Sequence, residues 1–242
     1  MTELANKENK NTILNIFLFE RHLSFFQAKN KVKKNFAIDA KNPFEYTDKV
    51  KEIIETKIIQ SDEIEIDLVK IYLANSFFAL IPNAIFKEEL LNDFAKVSFP
   101  NYAYEKLFHK ENEQNQLTVV FSCLEDIIFY LNKKFDLYEM NHIADLTLSS
   151  ISPKSEKQEV FVIFHENEAE IVLYRKKQLV NYSYFAFETN EDLLFHLLSE
   201  MKQFGFIKKK SKINFYNAEK NHKDFFKPYL PNLNFSKISL HR

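Results

Sequence analysis

One glycine in 242 residues is the feature that most constrains what this chain can do. At average usage a chain of this length would hold roughly 17 glycines. Phosphate-binding loops depend on glycine, because the backbone approaches a phosphate closely only where no Cβ intervenes. A Walker A loop needs two glycines and a dinucleotide-binding fingerprint needs three. The lone Gly205 therefore excludes both kinds of site.

The remaining composition is typical of a folded cytoplasmic protein. Hydrophobic residues make up 45% of the chain, charged residues 28%, and the formal net charge is -1. This is enough apolar material for one or two domain cores. The longest apolar runs have the length of strands, so neither a membrane span nor a signal peptide is predicted. A single cysteine, Cys123, excludes intrachain disulfides and cysteine-based zinc sites, which fits a reducing compartment.

The N-terminal part of the chain has the pattern of a three-stranded meander followed by a helix. Asn42 suits the N-cap of this helix, Pro43 its first position, and Glu45 can reach back to the cap. Apolar residues at helical spacing continue the helix to Ile58. The strands are predicted from three short apolar runs, at Ile13–Phe19, 23–28 and 32–39.

The same order recurs in the second half of the chain. Strands are predicted at 160–164, 169–174 and 179–187, and a helix begins at 189–192 and continues through Phe204, with Gly205 just past its end. The first strands, at Ile13 and Val160, begin 147 residues apart, and so do the helices at Pro43 and Asn190. A duplicated strand-strand-strand-helix unit explains both spacings.

Each copy then continues with a strand, a helix and a strand. In the second copy these are predicted at 213–217, 224–229 and 235–240. In the first copy we assign them to 117–122, 124–135 and 137–140, followed by a helix at 142–151.

Residues 60–115 then form an insertion in the first unit, with strands at Leu68–Ala74 and 77–81 and a helix at 83–97. The polar segment 152–159 separates a first domain, residues 1–152, from a second, residues 153–242.

Apolar runs bounded by turns also predict which side chains are buried. They are Ile16, Phe17, Phe78, Leu80, Val119, Val120, Val162, Ile163, Val172, Leu194, Leu197 and Phe215.

This order of elements is that of the ribonuclease H-like unit, and its tandem duplication is the actin-like ATPase architecture. We therefore predict an α/β fold of tandem duplicated ribonuclease H-like units, with mixed sheets, helices and the insertion in the first unit.

Four segments also resemble domain of unknown function 3822, a family of Bacteroidetes proteins. They are 78–86 (FALIPNAIF), 117–126 (LTVVFSCLED), 160–174 (VFVIFHENEAEIVLY) and 179–198 (LVNYSYFAFETNEDLLFHLL). The resemblance covers the chain from about Ile13 onward. It implies an actin-like ATPase fold, distantly similar to pilus-assembly and cell-division actin-like proteins, and no established activity.

In an actin-like ATPase, two hairpin turns hold the nucleotide phosphates, one between the first two strands of each domain. Here these turns are 20–22 (ERH) and 166–168 (ENE), and neither contains glycine. Two carboxylates in the second turn would repel a phosphate by about a few kcal/mol unless a metal intervened. Turn chemistry favours two solvated hairpin turns over a metal-bridged nucleotide. Any nucleotide that did bind would contact Glu20, Arg21, Glu166 and Asn167.

Other catalytic and metal sites lack support. A ribonuclease H-type nuclease needs an acidic residue in the first strand, where Ile13–Phe19 offers only Asn15. Ser122 and Cys123 have no neighbouring glycine to form a nucleophile elbow. We predict no catalytic residue, no metal site and no cofactor. The histidines show no close pair at ligand spacing; they are His22, His109, His142, His165, His196, His222 and His241.

Three functions stay open. The leading hypothesis is a non-catalytic interaction or scaffold module for an unknown protein partner, because the turns cannot hold the nucleotide on which this fold normally closes. The second is a divergent ATP-binding protein that uses side chains such as Arg21, Lys31 or Lys176. The third is a nucleic-acid adaptor with basic runs at 29–34 and 208–212, which the near-neutral net charge disfavours. The oligomeric state is left open.

Overall fold

The structure, a computed structural model, describes residues 13–27, 32–59, 66–99 and 105–238. Lys29, Lys31 and the acidic residues of 61–65 lie outside these ranges. The strands and α-helices, in chain order, are β1 (Ile13–Phe19), β2 (His22–Gln27), β3 (Val32–Ala37), α1 (Pro43–Ile53), β4 (Leu68–Ala74), β5 (Phe78–Pro82), α2 (Leu91–Ser98), β6 (Glu105–Asn112), β7 (Leu117–Leu124), α3 (Glu125–Lys134), β8 (Tyr138–His142), α4 (Ile143–Ser150), β9 (Gln158–His165), β10 (Glu168–Arg175), β11 (Gln178–Ala186), α5 (Asn190–Gln203), β12 (Lys212–Tyr216), α6 (Lys220–Phe226) and β13 (Leu233–Ser236).

The chain forms two compact units, each described here by itself. The first contains the described residues up to Leu73 together with Cys123–Asn141. The second contains Ala74–Ser122 and the described residues from His142 onward. The domain boundary at residue 152 stays a prediction.

The first unit is built on a five-stranded sheet of order β3-β2-β1-β4-β8. The meander is antiparallel, with β1 paired to β2 and β2 to β3. Helix α1 begins as predicted, because the side chain of Asn42 accepts a hydrogen bond from the N–H of Glu45 and Pro43 is the first helical residue. The Glu45 carboxylate accepts from the N–H of Lys41, one residue before the predicted cap.

A π-helical segment, Ile54–Ile59, continues α1 without a break. Within it, the Glu55 carboxylate accepts hydrogen bonds from Tyr130 Oη at 3.0 Å and from Lys134 Nζ at 2.7 Å. Both donors belong to α3, so these bonds hold the end of the first helix against the third.

The second unit contains a five-stranded sheet of order β11-β10-β9-β12-β13. Strands β9, β10 and β11 form an antiparallel meander, whereas β12 is parallel to both β9 and β13. One face of the sheet packs against α5 and α6 and forms the main core. Its fully buried members include Val160, Val162, Ala169, Ile171, Leu173, Leu193, Leu197, Ile213, Phe215 and Phe226.

Local signals set both ends of α5. Thr189 and Asp192 form a capping box at its start, with each side chain accepting a hydrogen bond from the backbone N–H of the other. At its end, Gly205 has a φ of 68° and donates its N–H to the carbonyl of Lys202, while the N–H of Phe206 bonds to the carbonyl of Met201. This is the Schellman arrangement, which confirms that the glycine closes the helix.

The two five-stranded sheets have the same order of elements, as the duplication predicts. Their comparison makes β4 the counterpart of β12, so the assignment of the first unit's fourth strand to 117–122 is wrong. Both β4 and β7 are apolar runs, and local sequence does not reveal which of them pairs with β1. The predicted insertion at 60–115 therefore includes a strand of the first sheet and omits β7.

The inserted strands form a third sheet of order β5-β7-β6 in the second unit, with β5 antiparallel to β7. Helix α2 covers one face through Ala95, which packs with Ala79, Ile81 and Val120. The helix predicted at 83–97 begins only at Leu91, after a turn and a short 3₁₀ segment. Strand β6 was not predicted, because its sequence EKLFHKEN is largely polar.

Nine of the twelve side chains predicted to be buried are buried. The exceptions, which are half-buried, are Phe78, Leu80 and Leu194. Leu194 packs at the margin of the main core. Phe78 and Leu80 belong to β5, an edge strand of the third sheet, and this position explains their partial exposure.

Candidate functional site

The turn between β1 and β2 holds the first pair of predicted site residues. Glu20 and Arg21 are exposed at its tip. The carbonyl of Arg21 accepts a hydrogen bond of 2.7 Å from the N–H of Ile38, just beyond β3. His22 is buried, and its ring stacks on that of Phe19 with centroids 4.0 Å apart. Neighbouring strands of the first sheet thus fix this turn.

The turn between β9 and β10 holds the second pair. His165 faces Glu168 across the hairpin, so the loop consists of the two exposed residues Glu166 and Asn167. Glu166 has a φ of 54°, a left-handed conformation that costs a residue with a Cβ about 1 kcal/mol. The structure brings Glu20 together with Arg21 and Glu166 together with Asn167, each pair on its own turn.

Two glutamates follow the second turn and are fully buried. Glu168 and Glu170 alternate along β10 and point to the face of the sheet opposite α5 and α6. Tyr184 donates a hydrogen bond of 2.5 Å to Glu168, and Tyr182 donates one of 2.5 Å to Glu170. His165 Nε2 lies 2.5 Å from the other carboxylate oxygen of Glu170. The carboxylates of Glu168 and Glu170 are therefore both hydrogen-bonded to side chains of the protein itself.

Electrostatics keeps one of these donors protonated. Burial raises the pKa of the Tyr182 hydroxyl well above its usual value, and the nearby negative charge of Glu170 raises it further. Tyr182 is thus a neutral hydrogen-bond donor throughout the physiological pH range.

Sequence reasoning placed Glu168 in a turn and did not single out Glu170, Tyr182 or Tyr184. A signal was present, since carboxylates alternate with apolar residues in one strand and tyrosines alternate in the next. Alternation alone does not show whether the face that carries the carboxylates is buried. Its burial depends on packing against residues distant in the sequence. In the second unit, that face is contacted by Phe78, whose ring meets Tyr182 edge to face at 5.3 Å.

A groove of about 1020 Å³ in the second unit runs between β5 and β11. Both strands are edges of their sheets. At one end, the rings of Phe78 and Tyr182 close the groove. The other end is polar and is lined by Gln116 and Lys177, beyond Pro82. Two strand edges and a mixed apolar and polar lining make this groove suited to a polypeptide ligand.

A second cavity, of about 770 Å³, lies beside the β10–β11 turn and is predominantly basic. It contains part of the basic run at 208–212. Arg175 is held in place there, donating a hydrogen bond of 2.5 Å to the carbonyl of Phe204 and lying 5.0 Å from the centre of the Phe206 ring. The charged residues of its lining are Glu156, Lys157, Arg175, Lys176, Lys209 and Lys210.

A family model described as "Protein of unknown function (DUF3822)" matches residues 2–232. The chain belongs to the DUF3822 family. This confirms the resemblance found in the sequence. No protein of curated function matches the chain significantly.

Solved structures confirm the actin-like ATPase fold of this DUF3822 protein. A Bacteroides thetaiotaomicron VPI-5482 protein, described as having an actin-like ATPase fold and unknown function, superposes with a TM-score of 0.77 at 16% identity. The match covers 98% of this chain and 94% of that one. A chain of the PilM-PilN type IV pilus biogenesis complex has a TM-score of 0.53 at 11% identity, covering 93% and 88% of the two chains.

The described residues of this DUF3822 chain contain no helix long and apolar enough to span a membrane. They also contain no group of three or more histidine, cysteine, aspartate or glutamate side chains placed to hold a metal ion. Ser122 and Cys123 are buried in β7.

Proposed function

We propose that this DUF3822 protein is a non-catalytic interaction or scaffold module that binds a protein partner in the cytoplasm. The observation that carries the proposal is the hairpin between β9 and β10. Its loop consists of Glu166 and Asn167, without glycine, and the buried Glu168 and Glu170 follow it directly in β10. A phosphate-binding turn requires N–H donors and close backbone approach at this position, and acidic side chains oppose both.

The edge strands β5 and β11 of the second unit support a role in binding another protein. An edge strand presents unpaired backbone N–H and C=O groups, which another polypeptide can pair with. A chain of the PilM-PilN type IV pilus biogenesis complex shares the fold, and its presence in a complex is consistent with the proposal.

Isothermal titration calorimetry with ATP and magnesium at physiological salt tests the non-catalytic part of the proposal. We expect no binding tighter than a Kd of about 100 μM, which corresponds to roughly 5.5 kcal/mol. Arg21→Ala is the matched variant, because the exposed Arg21 is the cation of the first turn. A lower Kd that weakens in Arg21→Ala would show instead a divergent ATP-binding protein.

Affinity capture after crosslinking in native cytoplasm tests the binding part. We expect at least one protein to be retained specifically and to bind the purified chain directly. RNA and DNA oligonucleotides are the control ligands, since binding that falls steeply with salt and weakens in Lys209→Ala/Lys210→Ala would indicate a nucleic-acid adaptor. Retention of nucleic acid without a protein would contradict the proposal.

A further inference from the structure

We propose that the groove between β5 and β11 binds an extended peptide that adds to β5 as a new strand and carries acidic residues at the end beside Lys177. This inference rests on the proposed function and names the site and the chemistry of the partner.

The outer edge of β5 has backbone groups directed into the groove. The N–H of Ser122 donates to the carbonyl of Phe77, and the N–H of Asn83 donates to the carbonyl of Gln116. The two residue pairs that flank β5, Phe77 with Ser122 and Asn83 with Gln116, are therefore hydrogen-bonded pairs. The register between β5 and β7 is continuous, and in an antiparallel ladder every hydrogen-bonded pair is followed by a pair whose backbone groups point outward. The N–H and C=O groups of Phe78 and Leu80 therefore point away from β7, and no described strand pairs with them.

Strand β11, on the opposite side of the groove, is less suited to pair with an added strand. The pairing of β10 with β11 shifts between Leu173 and Tyr174, which leaves a bulge at Val180 on β11. Pro82 ends the ladder on β5, because it has no N–H. Pairing is thus restricted to β5 and to a short peptide, since five strand residues span roughly 17 Å.

Side chains along the groove favour a peptide with apolar residues. Ala79 and Ile81 are buried on the α2 side of the third sheet, so Phe78 and Leu80 lie on its other face, where they are half-buried. Leu179 and Val180 line the opposite wall. An added strand would bring alternate side chains against these residues.

Charge determines which end of the groove receives the acidic residues of the peptide. Lys177 lines the polar end of the groove, and the adjacent Lys176 lines the basic cavity, so the two cavities meet across one turn. Lys177 pairs with Glu156 at 2.6 Å, but both side chains are more than half exposed. A peptide carboxylate can replace such a weak surface pair and continue toward the other cations of the cavity.

A peptide fits these features better than a nucleic acid does. The groove walls are strand edges and aliphatic side chains, and they offer a polynucleotide neither a run of cations nor a free aromatic platform. Among the described residues of the groove lining, the cation is Lys177, and it lies at one end.

Phage display of random 12-residue peptides against the full chain is the first test. The expected selected sequences combine a stretch of about five residues, in which two or three apolar residues occupy alternate positions, with two or more acidic residues at one end. A selected sequence is then synthesised and its Kd measured by fluorescence anisotropy. Failure to enrich peptides, or enrichment of sequences without this pattern, overturns the inference.

Backbone pairing is tested on the protein and on the peptide. Leu80→Pro removes the outward N–H, and Leu80→Ala is its matched control, which shortens the side chain but keeps the N–H. We expect Leu80→Pro to weaken binding at least tenfold relative to Leu80→Ala. N-methylation of alternate peptide residues leaves the protein unchanged, so it remains informative if Leu80→Pro fails to fold. Binding insensitive to N-methylation at every position overturns the inference.

The acidic end is tested with Lys177→Glu and with Lys49→Glu as its control. Both lysine side chains are 51% exposed and both pair with a glutamate. We expect Lys177→Glu to weaken peptide binding at least fivefold and Lys49→Glu to leave it unchanged. Equal effects overturn the assignment of the acidic end.

The two proposals can fail separately. If crosslinking identifies a partner whose binding is unaffected by Leu80→Pro and Lys177→Glu, the groove inference fails and the interaction function stands. If the chain binds ATP tightly and captures no protein, the proposed function fails. A single-stranded RNA that binds more tightly than the selected peptides and competes with them overturns the peptide class.

Discussion

His142 is a fully buried histidine that caps α4, and both of its ring nitrogens have backbone partners. The N–H of Ala144 donates to Nδ1 at 3.1 Å, and Nε2 lies 3.3 Å from the carbonyl of Asn75. This arrangement requires the neutral ring with its proton on Nε2. Burial lowers the pKa of His142 to about 3, and the bond to Asn75 opposes this shift only partly.

The pH dependence of stability follows from this shift. The pKa is near 6.5 in the unfolded chain and lower in the folded one, so the neutral ring stabilises the fold fully above pH 6.5. This contribution, on the order of a few kcal/mol, is lost as the pH falls from 6.5 toward 3. Urea unfolding at pH 7.5 and pH 5 should show the loss.

His142→Asn separates this effect from the titration of carboxylates. Asparagine can accept the capping hydrogen bond but does not titrate. The variant loses the stacking on Phe78, at a centroid distance of 4.7 Å, so it should be less stable at pH 7.5. Its stability should also fall less between pH 7.5 and pH 5 than that of the wild type. Equal losses would contradict the assignment.

Tyr182 provides a second test at the scale of one residue. Tyr182→Phe removes the hydroxyl that donates to the buried Glu170 and leaves that carboxylate with one donor fewer. We expect a loss of about 1–3 kcal/mol in the free energy of unfolding, measured in urea. Tyr229→Phe, at a surface position with 46% exposure, should cost far less. In the background of Glu170→Leu, the effect of Tyr182→Phe should shrink, because no carboxylate remains to be satisfied.

At the scale of elements, the hairpin between β10 and β11 shows how turns form in a chain that is poor in glycine. Lys176 and Lys177 have φ values of 53° and 61°. Two successive positive φ angles are those of a type I′ turn, for which Asn-Gly is the favoured sequence. The two lysines thus adopt a conformation that their side chains disfavour.

The double variant Lys176→Asn/Lys177→Gly should therefore stabilise the protein by about 1 kcal/mol. Thermal and urea unfolding measure the gain. Lys176→Ala/Lys177→Ala removes the same charges but keeps both Cβ atoms, so it should bring no comparable gain. If both double variants stabilise equally, charge repulsion and not backbone conformation is the cause.

How far the sequence predicts an element depends on how local its signals are. The starts of α1 and α5 follow from caps within four residues, and the end of α5 follows from Gly205. The pairing of β4 and not β7 with β1 depends on contacts distant in sequence, and no residue in either strand indicates it. The same applies to the candidate sites. The residues of both hairpin turns could be predicted from the sequence. The burial of Glu170 and the groove beside Leu80 depend on tertiary packing and could not be.

At the scale of the whole molecule, the fold is shared with a protein whose residues are mostly different. The Bacteroides thetaiotaomicron structure superposes with a TM-score of 0.77 at 16% identity. The fold is therefore shared while most individual residues differ. Because proteins with one fold can differ in function, the hairpin turns and the groove bear on the function of this chain more than its fold does.

The outer edge of β5, with which no described strand pairs, also has a consequence for the concentration at which this protein can remain a monomer in a cell. An uncovered strand edge pairs with any compatible edge, including that of a second copy. Synthesis in excess of the partner should therefore drive self-association, which sedimentation velocity would detect as a rise in average mass with concentration. Leu80→Pro should suppress that rise, whereas Leu80→Ala should not. A chain that must be made in step with its partner would be vulnerable to changes in gene dosage.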